Sequence, residues 1–180
     1  MKFQLQTKRL ILRDLRITDL EGMFELDSNP EVHKYLGNNT IKTKAEAEKN
    51  IAFVRRQYQE NGIGRFAVIE KKSGNFIGWS GLKLNKGKKE SLNGYQDFID
   101  IGYRFIPKYW KKGYGLESAI TCLDYGFKTM SYNIIYGAAE TRNIGSNKIL
   151  QKIGLQFVNE FKEGNKQVNW YELKKINYGK

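Results

Sequence analysis

Residues 103–119 read YRFIPKYWKKGYGLESA. A strand-like aromatic run stops at Pro107, two lysines and a Gly-x-Gly follow, and from Leu116 the apolar residues fall at 116, 119, 120, 123, 127 and 130. That spacing is one stripe of an amphipathic helix, and a proline ends a strand or sits at its edge. The glycine loop therefore joins a strand to a helix. A helix start carries about half a positive charge and several unpaired amides, and glycines let an anion approach the backbone. The loop is not the phosphate-loop pattern ending in Gly-Lys-Ser/Thr, nor the three-glycine dinucleotide pattern, because Glu117 and Ser118 stand where those need other residues. On spacing alone, turn chemistry is the commoner explanation of a Gly-x-Gly before a helix.

Upstream of the loop, RFAVIE and NFIGWSGLKL are strand-like runs joined by KKSG, a hairpin pattern, and DFIDIGYRFI is a third run ending at Pro107. Farther back, KRLILR reads as a first strand. In ITDLEGMFELD, Thr18 and Glu21 form a capping box ahead of a short helix, and Asn29 with Pro30 starts a second over EVHKYL. Thr43 with Glu46 opens a longer helix carrying Ala47, Ile51, Val54 and Tyr58 on one face. Downstream, NIIYGAAE reads as a buried strand and NIGSNKILQKIG as a helix with Asn143 at its cap and Gly154 past its end. Two final strand-like runs follow. The order is α+β (mixed α/β): antiparallel hairpins around a central strand-helix-strand unit.

A chain of 180 residues with 40% hydrophobic residues can bury a core, and no repeat or change of composition divides it, so residues 1–180 read as one domain. No apolar run is long enough to cross a bilayer, and MKFQLQTKRLILRDL mixes charges into its apolar residues, unlike a signal peptide. A cytoplasmic, membrane-free protein is expected. One cysteine, Cys122, excludes an internal disulfide and falls short of a metal cluster, so no metal is expected. The net charge of +12 favours anionic partners, but the basic residues are spread along the chain rather than clustered among exposed aromatics, which argues against nucleic acid. His33 reads as a surface or packing residue, Cys122 as a small buried hydrophobe, and the three tryptophans as core or wall.

YRFIPKYWKKGYGLESA resembles the acetyl-CoA loop of the GNAT superfamily of N-acetyltransferases, in particular its RimJ/RimL-like branch. NIGSNKILQKIGLQF resembles the second motif of that branch, and TKRLILRDLRITDLEGMFEL and SNPEVHKYLG are similar to its first strand and first two helices. Together these cover nearly the whole chain in the right order. The resemblance implies a strongly bent mixed sheet of about seven strands flanked by about four helices, with acetyl-CoA as co-substrate in a splay between two parallel strands. It implies that the amides of Lys111, Lys112, Gly113, Tyr114, Gly115 and Leu116 hold the pyrophosphate. Tyr103, Arg104 and Phe105 would pair with the pantetheine arm, and Asn143 would contact the cofactor from the other side.

The implied reaction is acetyl transfer to a primary amine, either a protein N-terminus, ribosomal proteins included, or a small molecule. An amine must lose a proton to attack: a lysine-like amine near pKa 10.4 is about 4.6 kcal/mol from its free base at pH 7, and an α-amine near 7.8 about 1 kcal/mol. The resemblance nominates Asp100 as base through water, with Glu140 next in line. The tyrosine that protonates the thiolate in much of the superfamily is matched here by Leu150, leaving Ser146 as the nearest substitute. That departure keeps a cofactor-binding regulatory module without turnover as the competing reading, beside a basic ribosome- or RNA-binding protein. Neither the acceptor nor the choice between monomer and homodimer follows from the residues.

Overall fold

The strand, glycine loop and helix expected from residues 103–119 lie at the centre of an eight-stranded mixed sheet in the computed structural model, which describes residues 4–179. The strands are β1 (Gln4–Gln6), β2 (Leu10–Arg13), β3 (Arg65–Glu70), β4 (Phe76–Asn85), β5 (Phe98–Phe105), β6 (Ile134–Glu140), β7 (Gln156–Glu163) and β8 (Lys166–Lys174). Their spatial order is β1-β2-β3-β4-β5-β6-β8-β7, antiparallel throughout except at β5 and β6. About seven strands were expected. The eighth is β1, whose three residues are too few to show an alternation.

Five α-helices are present among the described residues: α1 (Leu20–Asp27), α2 (Pro30–His33), α3 (Lys44–Asn61), α4 (Tyr114–Asp124) and α5 (Ile144–Lys152). Thr43 and Glu46 form the expected capping box at α3, and Asn29 accepts from the Glu31 amide at α2. The box expected from Thr18 and Glu21 does not form. A single 3-10 turn, Ile17–Asp19, precedes α1, and the buried Asp19 carboxylate takes the Arg16 amide at 2.8 Å and two bonds from Arg13 at 2.7 and 2.8 Å. A buried carboxylate needs that many donors, and it outcompetes a hydroxyl for the amide.

Neighbouring residues of β4 show how the layers divide. Trp79 faces a cavity under α1 and α3, whereas the next residue, Ser80, touches Cys122 of α4 at 3.7 Å on the opposite face. Helix α4 buries Ala119, Cys122 and Leu123 completely, and the chain runs on into a five-residue π turn, Tyr125–Thr129, that buries Phe127. Burial of a side chain such as Leu123 or Phe127 stabilises the fold by about 1.5–3 kcal/mol. Ile120, expected on that stripe, is 42% exposed, and Cys122 takes the inward place. At about 100° per residue, positions 119, 122, 123 and 126 share one face and position 120 falls at its edge.

Candidate active site

Strands β5 and β6 are parallel but pair only at Asp100 and Tyr136. Beyond that pair no ladder joins them, and each is held from its other side, β5 by β4 and β6 by β8. The result is a splay open toward the C-terminal ends of both strands, where Gly102 to Phe105 face Gly137 to Glu140. Two adjacent strand edges with free backbone groups can pair with the amides of an extended ligand.

The chain leaves β5 through a single turn, Pro107–Tyr109, and Trp110 folds back so that its Nε1 donates to the Phe105 carbonyl at 2.6 Å. Lys111 and Gly113 both have positive φ, 59° and 81°, and Gly113 is the N-cap of α4. This curl aims the amides of Tyr114, Gly115 and Leu116, which have no acceptor within the helix, out of its N-terminus. Their side chains have other work: Tyr114 is buried and its hydroxyl donates to Glu70. Lys111 and Lys112 are exposed at the rim, and Lys112 Nζ lies 5.4 Å from the Tyr109 ring.

Arg9 was not singled out from the sequence, yet it ties this loop to the rest of the sheet. Its Nε donates to Glu117 Oε2 at 2.7 Å, its Nη1 to the Lys112 carbonyl at 2.8 Å, and its guanidinium lies 4.5 Å from the centre of the Tyr114 ring. The Arg9 amide (3.0 Å) and the Thr7 hydroxyl (2.5 Å) both donate to Glu117 Oε1. Burial alone would raise the Glu117 carboxyl, but these bonds from Thr7 and Arg9 outweigh it and hold it below its ordinary value. A matched Glu117 leaves the helix end free to attract an external anion. Glu117 appeared in the sequence only as a misfit to other loop patterns.

On the far side of the splay, Asn143 caps α5 by accepting from the Ser146 amide at 3.1 Å. Tyr103 reaches across from β5: its hydroxyl donates to the Ser146 carbonyl at 3.0 Å and lies 3.2 Å from Ser146 Oγ. Burial pushes the Tyr103 phenol well above its ordinary value, so it stays protonated. Asn147, one residue further and unnoticed in the sequence, is the hub that fixes α5. It donates to the Glu140 and Asn143 carbonyls (2.9 and 2.8 Å) and accepts from Tyr171 and Asn169 (2.7 and 2.8 Å). Leu150 is buried and points at β6, where a Cβ on Gly137 would come within 2.7 Å of it. Position 150 is a core position here and supplies no donor.

Asp100 stands where the splay begins, but its carboxylate is occupied. Arg65 Nη2 donates to both oxygens at 2.9 and 2.8 Å, and Asn85 adds a bond to Oδ1 at 3.0 Å. Arg65 can lie flat across the sheet because Gly81 and Gly102 flank its row; a Cβ on Gly102 would sit 2.9 Å from its Cζ. Three hydrogen bonds, two from Arg65 and one from Asn85, hold the carboxylate in place. Glu140 is likewise engaged: burial would raise it, but Arg142 and Lys166 hold it below the ordinary value. Arg104 sends its side chain to the face opposite Tyr103, where Nη1 meets Asp27 at 2.6 Å. His33, expected as a surface or packing residue, is buried with its Nε2 3.7 Å from Asp27, and burial, with Arg104 beside it, lowers its pKa. Burial pushes the Cys122 thiol up to about 12, so it is no nucleophile at neutral pH.

The chain matches the family model described as acetyltransferase (GNAT) domain over residues 9–156. It is 31% identical over 157 residues to the uncharacterized N-acetyltransferase YnaD of Bacillus subtilis (strain 168), covering 87% of this chain and 85% of that one. It is 27% identical over 158 residues to the FsC-acetyl coenzyme A-N(2)-transacetylase of Aspergillus fumigatus, covering 87% of this chain and 66% of the other. Among solved structures, a GNAT-family acetyltransferase from Bacillus anthracis superposes with a TM-score of 0.78 at 26% identity, over 97% of this chain and 99% of that one. No helix among the described residues is long and apolar enough to cross a membrane.

Proposed function

We propose that this chain, which belongs to the acetyltransferase (GNAT) family, transfers the acetyl group of acetyl-CoA to a primary amine within a ternary complex. The observation that carries the reading is the splay after Asp100 and Tyr136, closed at one end by the curled loop at Gly113 and the free amides of α4. Those amides, the α4 dipole and Lys111 and Lys112 suit a pyrophosphate, and the edge from Tyr103 to Phe105 suits the amides of a pantetheine arm. At Phe105 the carbonyl is already taken by Trp110 and the Arg104 backbone is turned toward β4, so Tyr103 supplies the backbone bonds there. Asn143 shapes the facing wall.

The amine attacks the thioester carbonyl once it has lost one proton; the C–N bond forms, the C–S bond breaks, and a second proton lost from the nitrogen passes to the thiolate as coenzyme A leaves. With Asp100 locked to Arg65, the first proton goes to water. Ser146, freed from Tyr103 as the ligand enters, donates a hydrogen bond to the sulfur, and the protonated Tyr103 supports it. The acceptor is a protein N-terminus or a small amine, the latter favoured by the cavity described below. We place the protein in the cytoplasm, in the RimJ/RimL-like branch, as a monomer or homodimer acting on no nucleic acid or membrane.

The test is calorimetric titration with acetyl-CoA. Wild type binds in the low-micromolar to sub-millimolar range, and Gly113→Asp abolishes binding. Position 113 has φ +81°, and a Cβ there sits 3.3 Å from Arg9, so a carboxylate both strains the loop and competes for the cation that holds Glu117. Unchanged affinity in a folded Gly113→Asp variant would place the cofactor elsewhere.

A further inference from the structure

On the side of β5 away from Tyr103 and Ser146, a cavity of about 300 Å³ lies between the sheet and helices α1 and α3. Its floor is Trp79, with Arg104 Cζ 5.0 Å and Arg65 Cζ 5.5 Å from the ring centre, and part of its wall is Leu15, Met23, Phe53 and Val54. It borders β5 at Arg104, and the Arg65 guanidinium covers Gly102 beside it. The volume is at the low end for small-molecule sites, which run from about 300 to 1,000 Å³.

Three cations line this cavity, and they are not equally spent. Arg65 is matched by Asp100 through both carboxylate oxygens and also donates to the Gly81 and Asp100 carbonyls. Lys83 is matched by Glu90 at 2.6 Å and Asn85 at 3.1 Å. Arg104 makes one hydrogen bond, from Nη1 to Asp27 Oδ1, and among the described residues its Nε is buried without a partner. The other Asp27 oxygen is taken by Asn50 at 3.0 Å. A guanidinium has five donors in a fixed fork that fits a carboxylate through two parallel bonds, and a buried donor left unmatched costs free energy. Arg104 Nη2 thus has no partner among the described residues, in a cavity whose wall mixes the apolar Leu15, Met23, Phe53 and Val54 with the polar Asp27, Asn50 and Gln57.

We propose that the acceptor is a small amine bearing its own carboxylate, the size of an amino acid with an apolar side chain, and that Arg104 takes that carboxylate. This rests on the acetyl-transfer reading and names its acceptor class. The apolar side chain lies over Trp79 and Phe53, and the amine points toward β5, the strand that borders the splay. A protein N-terminus offers a peptide carbonyl at the corresponding place, which cannot match the Arg104 charge, and a polyamine adds cations to a wall that already carries three.

The test uses two matched pairs. Thiol release from acetyl-CoA is followed with L-phenylalanine and L-phenylalanine amide as acceptors, and calorimetry measures binding of the products N-acetyl-L-phenylalanine and its amide. The acid of each pair is favoured by roughly tenfold to a hundredfold, the scale of a hydrogen bond to a charged group. Arg104→Gln abolishes the preference. Because that change strips Asp27 of its ion partner, Arg104→Lys is measured alongside; it keeps the charge but not the fork, and retains a reduced preference. Equal use and equal binding of acid and amide by wild type, or a preference that survives Arg104→Gln, overturns the assignment. Absent acetyl-CoA binding would sink the transfer reading instead, since the product pair reports on the cavity without the donor.

Discussion

Asp100 shows how far a residue's role depends on what reaches it. As an acidic side chain where the splay begins it suits a base; with Arg65 and Asn85 on its oxygens it also suits an anchor for the cavity floor. The two roles predict different pH profiles. As an anchor, Asp100→Asn lowers turnover by a constant factor at every pH. A loss confined to low pH, where little free amine exists, would assign it the base role. Ser146→Ala lowers the rate roughly tenfold to a hundredfold independently of pH, the scale of one transition-state hydrogen bond, with acetyl-CoA affinity nearly unchanged. Profiles of turnover at saturating acetyl-CoA check both variants, and an Ser146→Ala enzyme as fast as wild type would remove the hydroxyl from the step.

At the scale of elements, the connection between the start of β2 and the start of α4 sets the phosphate loop. Arg9 holds the Lys112 carbonyl and the Glu117 carboxylate together and so ties the loop to the start of β2. Arg9→Gln should weaken acetyl-CoA binding about tenfold, the loss of one or two partly exposed charged bonds, and leave turnover at saturation little changed. The Glu117 carboxyl sits below its ordinary 4.5 in the folded protein, so the stability it contributes is present above that value and is lost as pH falls through the lowered one. Glu117→Gln should flatten the acid limb of the stability curve below about pH 4.5, seen as a smaller drop in melting temperature than wild type between pH 5 and 3. An acid limb identical to wild type would show that this carboxylate is not stabilised by Thr7 and Arg9.

For the whole molecule, the +12 charge and the ligand's phosphates act together. A ligand that binds only the folded state at a hundred times its Kd stabilises by about 2.7 kcal/mol, which for a chain of this length raises Tm by roughly 5–10 °C. The shift should shrink as salt rises from about 0.05 to 0.5 M, because screening weakens attraction between a basic protein and a polyanion. Differential scanning calorimetry with and without acetyl-CoA at both salt concentrations measures it; a salt-independent shift would mean that the phosphates make no electrostatic contribution.

Most of the architecture could be read from local pattern, because its signals are short-range: Pro107 and Gly113 punctuate the chain, Thr43 with Glu46 starts α3, and two apolar runs joined by the turn-forming KKSG mark β3 and β4. The phosphate loop belongs to this class, since its amides and dipole come from neighbouring residues. What only the tertiary structure decided are the partnerships made across the fold. Arg9 meets Glu117, Arg65 meets Asp100, Tyr103 meets Ser146, and Arg104 meets Asp27, across 108, 35, 43 and 77 positions. No periodicity records them. They follow from which strand edges lie side by side and which residues are small enough to be crossed, and a titratable group's chemistry is set by the donors that sheet order brings to it rather than by its place in the chain.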